Sequence, residues 1–147
     1  MWTDCPTPDE WESRERWFDE LDESLIAPSG SYLVSEQACA LAGEVRTAFC
    51  AGAWVAVIIM AMAVIDAQFR ETELPDFKGN TKQLLHVLNA DPLLQTLRER
   101  RNALVHVDCD NPAITVDDMW SKGEELEREA RSAITLMLEA FYMNPAV

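Results

Sequence analysis

With 147 residues, 48% of them hydrophobic and 26% charged, the chain has the composition of one globular domain of ordinary size, and only 5 Gly and 7 Pro argue for anything looser. A formal charge of -14 excludes a protein that coats nucleic acid through its overall field, because phosphate binding needs cationic surface to release counterions. Any contact with nucleic acid must be local.

Cys5, Cys39, Cys50 and Cys109 lie far apart with no CxxC pair, and the chain opens on acidic and polar residues rather than on a signal-peptide pattern. These features fit a reduced, cytoplasmic compartment, with Cys39 and Cys50 expected as buried free thiols.

Taken in order, Thr7, Pro8 and Glu10 form a helix-start signature, and Trp11, Trp17, Phe18, Leu21 and Leu25 follow at helical intervals. Trp2 joins Trp11 and Trp17 in giving this segment unusual aromatic weight, either over the core or as a partner surface. Ala27–Ser31 reads as a turn, and a second helix starts near Ser35 with Ala38, Leu41, Val45 and Phe49 on one side.

Thr47–Ile65 carries no charge at all, which meets the minimum length of a membrane span. Gly52, the alanines and the lack of a basic cluster at either end favour instead a break at Gly52. From Ala53 to Arg70 the spacing predicts a helix buried at the centre of a bundle. Glu73–Asn80 is a loop, and Thr81–Asn89 a short helix.

Asp91 and Pro92 then begin the helix around which the rest is arranged, DPLLQTLRERRNALVHVDC, with Leu93, Leu94, Leu97, Leu104 and Val105 as its apolar residues. Asp108–Pro112 must stop it. Thr115 and Asp118 suggest a capping box into a final helix, whose apolar face runs from Leu126 to Phe141. No strand signal competes, so the fold expected is all-α, a single domain of five or six helices. Residues 1–30 supply the first helix and linker, and residues 35–143 the bundle core.

The organising helix carries Arg98, Arg100, Arg101, Asn102 and His106. This arrangement resembles the HEPN superfamily, small all-helical domains marked by an arginine, usually a polar residue, and a histidine a few positions on. HEPN-like proteins also commonly have an alanine-rich central helix like the one expected here. The resemblance implies a homodimeric, metal-independent endoribonuclease of toxin or phage-defence type, with the two motifs facing one cleft.

Cleaving RNA without a metal needs a base for the 2'-OH, an acid for the leaving oxygen, and cationic donors at phosphorus. Arg101 suits the phosphate and His106 the proton transfers, with Asn102 orienting them and Arg98 extending the face. On a continuous helix Arg101 and His106 would be displaced by roughly 140°, so a second copy or a bridging phosphate must close the gap.

Asp66, as the acid on the central helix, is expected either to orient Arg101 or to sit at the surface. In HEPN toxins controlled by a nucleotidyltransferase, a tyrosine two residues after the histidine receives a nucleotide; here Asp108 stands in that place.

His106, Asp108, Cys109 and Asp110 crowd together as metal-ligand types, but their spacing fits no metal motif and DCDNP is an ordinary turn composition. His86, on an apolar helix, reads as structural. No nucleotide-binding glycine loop, GxSxG or zinc pattern is present, and the reading needs no cofactor. Beside the nuclease stands an alternative from another class, a non-catalytic helical module that binds a nucleotide, RNA or a protein partner. A toxin of this kind would answer to an antitoxin or regulatory protein.

Overall fold

The computed structural model describes residues 4–146. Helix α1 (Pro8–Leu25) opens with the expected capping box: Thr7 Oγ1 accepts from the Glu10 amide at 3.2 Å, and Glu10 returns a carboxylate oxygen to the Thr7 amide at 2.8 Å. Ser35 caps α2 (Glu36–Cys50), and α3 (Trp54–Thr72) begins after a turn in which Gly52 takes φ 79°. That left-handed backbone suits glycine and divides the uncharged run between two helices. No helix among the described residues is long and apolar enough to cross a membrane.

The remaining helices are α4 (Thr81–Val87), α5 (Pro92–Val105), α6 (Val116–Ser121) and α7 (Gly123–Phe141). Among the described residues the count is therefore seven, because the expected final helix breaks at Lys122, whose φ of -116° and ψ of 25° leave the helical region. Sequence reasoning also missed a two-residue antiparallel ladder in which β1 (Ser31–Tyr32) pairs with β2 (Pro145–Ala146). Strands this short carry no periodicity to read.

Helix α3, free of charge from Trp54 to Ile65, is the axis of the bundle, in contact with α2, α4, α5 and α7. Val57, Ile58, Ala61, Met62, Val64 and Ile65 are all fully buried along it, each large apolar side chain contributing about 1.5–3 kcal/mol. Gln68 is the buried polar exception on α3. Its Nε2 donates to the Leu33 carbonyl at 3.0 Å and its Oε1 accepts from the Ser35 amide at 2.9 Å, so no polar atom is stranded.

At the N-terminal end of α3 the rings of Trp17, Phe49 and Trp54 pack in sequence, 5.0 and 5.5 Å between centroids. The Arg131 guanidinium lies 4.5 Å above Trp17 and 5.0 Å above Phe49. Trp17 is thus core-capping, whereas Trp11 is half-buried and donates its indole N–H to Glu15. Trp2 lies outside the described residues. Of the four cysteines, only Cys50 is buried; Cys39 is exposed, against expectation.

Candidate functional site

Helix α5 starts as its sequence dictates, with Asp91 Oδ1 accepting from the Leu93 amide at 2.9 Å and Pro92 in the first turn. Leu94 and Leu97 face the core and Leu104 packs partly against it. Leu93 and Val105, expected on the apolar face, are instead 57% and 46% exposed. The Gln95 amide donates to the Lys82 carbonyl and ties α5 to α4.

The helix ends at Val105, sooner than the sequence implies. His106 has φ -117° and ψ 108°, in extended backbone, and its amide makes the last turn's bond to the Asn102 carbonyl at 2.9 Å. Two β-branched valines flank His106, and just beyond, Asp108 Oδ1 accepts from the amides of Asp110 and Asn111, which stabilises a turn in place of more helix. The angular offset expected on a continuous helix therefore does not describe this pair. His106 sits on the exposed helix end, and Val107 beside it is 83% exposed.

Arg101 points elsewhere. It lines a cleft of about 420 Å³ with Asp66 and Arg70 of α3, Ser35 and Gln37 at the start of α2, and Thr81 at the start of α4. Its Nε donates to Asn102 Oδ1 at 2.8 Å, so the asparagine holds the base of the fork. Among the described residues no carboxylate lies within 4.0 Å of its guanidinium, as is also true of Arg14, Arg16 and Arg128. Both terminal nitrogens therefore remain available to a ligand in the cleft.

Asp66 faces the same cleft but gives its oxygens to others. Oδ2 accepts from Arg70 Nε and Oδ1 from Thr81 Oγ1, each at 2.8 Å. Sequence reasoning missed both partners, although the Asp66–Arg70 spacing of four residues was a legible sign of the pair. Arg70 uses only its Nε in this way, and its guanidinium lies 5.9 Å from the Phe77 ring centroid. The cleft thus holds two guanidinium groups against Asp66 and Glu71, arranged to take an anion at Arg101.

The other arginines of the motif are structural. Arg98, with a side chain 12% exposed, donates to Gln95 Oε1 at 2.8 Å and lies 3.7 Å from Glu99. Arg100 spans from α5 to Glu129 of α7 and donates to the Ala113 carbonyl at 3.1 Å, which anchors the loop after His106. Among the described residues no three His, Cys, Asp or Glu side chains form a metal-sized group, and the run from His106 to Asp110 is spread along an exposed loop. His86 is exposed in the last turn of α4, not packed in the core.

The chain was compared with protein-family models, with curated proteins and with solved structures, and none of the three gives a match.

Proposed function

We propose that this chain is a HEPN-like, metal-independent endoribonuclease of toxin or phage-defence type, acting in the cytoplasm as a homodimer. The observation that carries the reading is the unpaired, half-buried Arg101 in its cleft, braced by Asn102 and followed five residues later by an exposed histidine. Arg101 binds the scissile phosphate and stabilises the charge that grows on it; His106 moves the proton as general base or acid.

Within one chain His106 does not border the Arg101 cleft. The histidine that serves a given cleft therefore comes from the second copy, and the exposed Val105 and Val107 beside it supply apolar surface for that contact. Arg98 and Asp66 act at one remove, the first by packing α5 and the second by fixing Arg70 at the cleft wall. RNA is the substrate, and an antitoxin or regulatory protein is the partner such an activity requires.

A second reading, a non-catalytic module that binds a nucleotide, RNA or protein through the same cleft, is favoured by one feature. Among the described residues the His106 ring has no hydrogen-bond partner to set its orientation. The test is RNA cleavage by purified protein in excess EDTA, beside His106→Ala and Arg101→Ala. Cleavage abolished by either substitution in a folded protein supports the nuclease. No cleavage of any RNA by the parent chain transfers the function to the binding module.

A further inference from the structure

At the opposite end of α3 a second cavity, of about 360 Å³, opens between the start of α1, the α2–α3 turn and α6. Trp54, Met119 and Trp120 supply its apolar wall and Arg14 its cation, and the carboxylates of Asp4 and Glu10 also line it. Twelve residues of helix separate Trp54 from Asp66, about 18 Å at the rise of an α-helix, so this cavity is distinct from the Arg101 cleft.

Arg14 is fixed in place before any ligand arrives. Its Nη1 donates to the Cys50 carbonyl at 3.1 Å, and the guanidinium carbon lies 4.9 Å from the Trp54 ring centroid. Gly52 makes room for it: a Cβ there would stand 3.3 Å from Nη1. No carboxylate among the described residues lies within 4.0 Å of this guanidinium. Glu10, one turn earlier on α1, has turned an oxygen to the Thr7 amide in the capping box. The cation is therefore satisfied by a neutral carbonyl and an indole face, with donors left over.

The apolar wall is equally incomplete. Trp120 is 60% exposed, although it stands on a short helix held by the Thr115–Asp118 capping box rather than on a loose loop. An exposed indole beside a preset guanidinium selects for a ligand that uses both. A neutral ring gains nothing from Arg14, and a bare phosphate gains nothing from the tryptophans.

We infer that this cavity is a binding site for a planar aromatic molecule bearing an anionic group, up to the size of a mononucleotide, with its ring against Trp120 and Met119 and its anion on Arg14. The volume falls within the range of small-ligand pockets. Aromatic stacking and a charge-assisted hydrogen bond supply the recognition. The inference is independent of the nuclease reading, because none of its residues belongs to the Arg101 cleft.

The test is two-dimensional NMR of the tryptophan indole N–H signals in the full chain, with AMP, indole-3-carboxylate and naphthalene-2-sulfonate each at about 1 mM, an affinity range in which weak binding still registers. Adenosine and inorganic phosphate serve as controls. We expect at least one aromatic anion to move the Trp54 and Trp120 signals in a saturable way, with neither control doing so. Arg14→Gln and Trp120→Ala should each weaken that binding by about tenfold or more. Trp120→Ala removes an exposed ring and is the variant to rely on if Arg14→Gln disturbs packing. The inference fails if no aromatic anion shifts these signals, if adenosine binds as well as AMP, or if Trp120→Ala binds as the parent does.

Discussion

Asp66 offers the sharpest test of the candidate cleft, because two arginine partners can be imagined for it and the structure gives it only Arg70. The carboxylate lies four residues before Arg70, the favourable order on a helix, at 2.8 Å from its Nε with side chains 25% and 31% exposed. A pair of that geometry, partly shielded, is worth about 0.5–1 kcal/mol in a double-mutant cycle. Asp66→Asn also weakens the bond from Thr81, so the single substitution should cost about 1–2 kcal/mol in all.

With a urea dependence near ~1.5 kcal/mol per molar, the coupling between Asp66→Asn and Arg70→Gln appears as a non-additive midpoint shift of about 0.5 M. The parallel cycle with Arg101→Gln should show coupling below about 0.3 kcal/mol, within the additivity of unpaired sites. Circular dichroism at 222 nm across a urea series for the six proteins decides the matter. Coupling to Arg101 as large as that to Arg70 would refute the placement and restore Asp66 as the orienting acid.

Two further outcomes follow from the same structure. If Arg101 of one chain works with His106 of the other, an equimolar mixture of Arg101→Ala and His106→Ala proteins, unfolded and refolded together, should recover about a quarter of the parent's RNA cleavage. Half the dimers are then mixed, and each mixed dimer keeps one of its two composite sites; no recovery, with mixed dimers present, would place the whole site in a single chain. At the far end of the bundle, Tyr142 donates its hydroxyl to Asp22 at 2.6 Å, and burial, then the Asp22 carboxylate beside it, push its pKa up. The unfolded chain releases this proton near pH 10 while the folded one keeps it, so the contribution is full below about pH 10 and is lost as pH rises beyond. Tyr142→Phe should therefore cost about 1–2 kcal/mol at neutral pH and flatten the alkaline fall in stability, measured by urea midpoints from pH 8 to 11.

What the sequence displayed most clearly were starts of helices and the buried axis. Thr7, Ser35, Asp91 and Thr115 all cap where their side-chain oxygens predict, and the uncharged run from Thr47 marks the residues that α3 buries around the Gly52 break. Ends were harder to see. His106 belongs to a histidine-valine stretch with no glycine or proline to announce a stop, and the asparagine and aspartate turn that captures the chain acts from outside the helix. Tertiary choices were harder to see for a different reason: the four-residue spacing favours Asp66 with Arg70, but whether Asp66 also reaches Arg101 depends on how α3 and α5 cross, which no local pattern encodes. Likewise Leu93 fits the period of an apolar face yet lies at its edge, in solvent. The asymmetry between Arg100, spent on Glu129, and Arg101, left open, is a result of packing that the string RERRN does not reveal.

Gln68 makes the bundle count residues. One amide group reaches two backbone atoms that stand two positions apart, the Leu33 oxygen and the Ser35 nitrogen, and it does so where water has no access. The segment between α1 and α2 is therefore metered: an extra residue between Leu33 and Ser35 would carry one of those atoms out of reach and leave a buried group unmatched. An insertion should therefore be costly in the stretch that enters α2 and tolerated in the exposed turn around Ser29. A residue deep in a hydrophobic axis thus sets the permissible length of a surface connection.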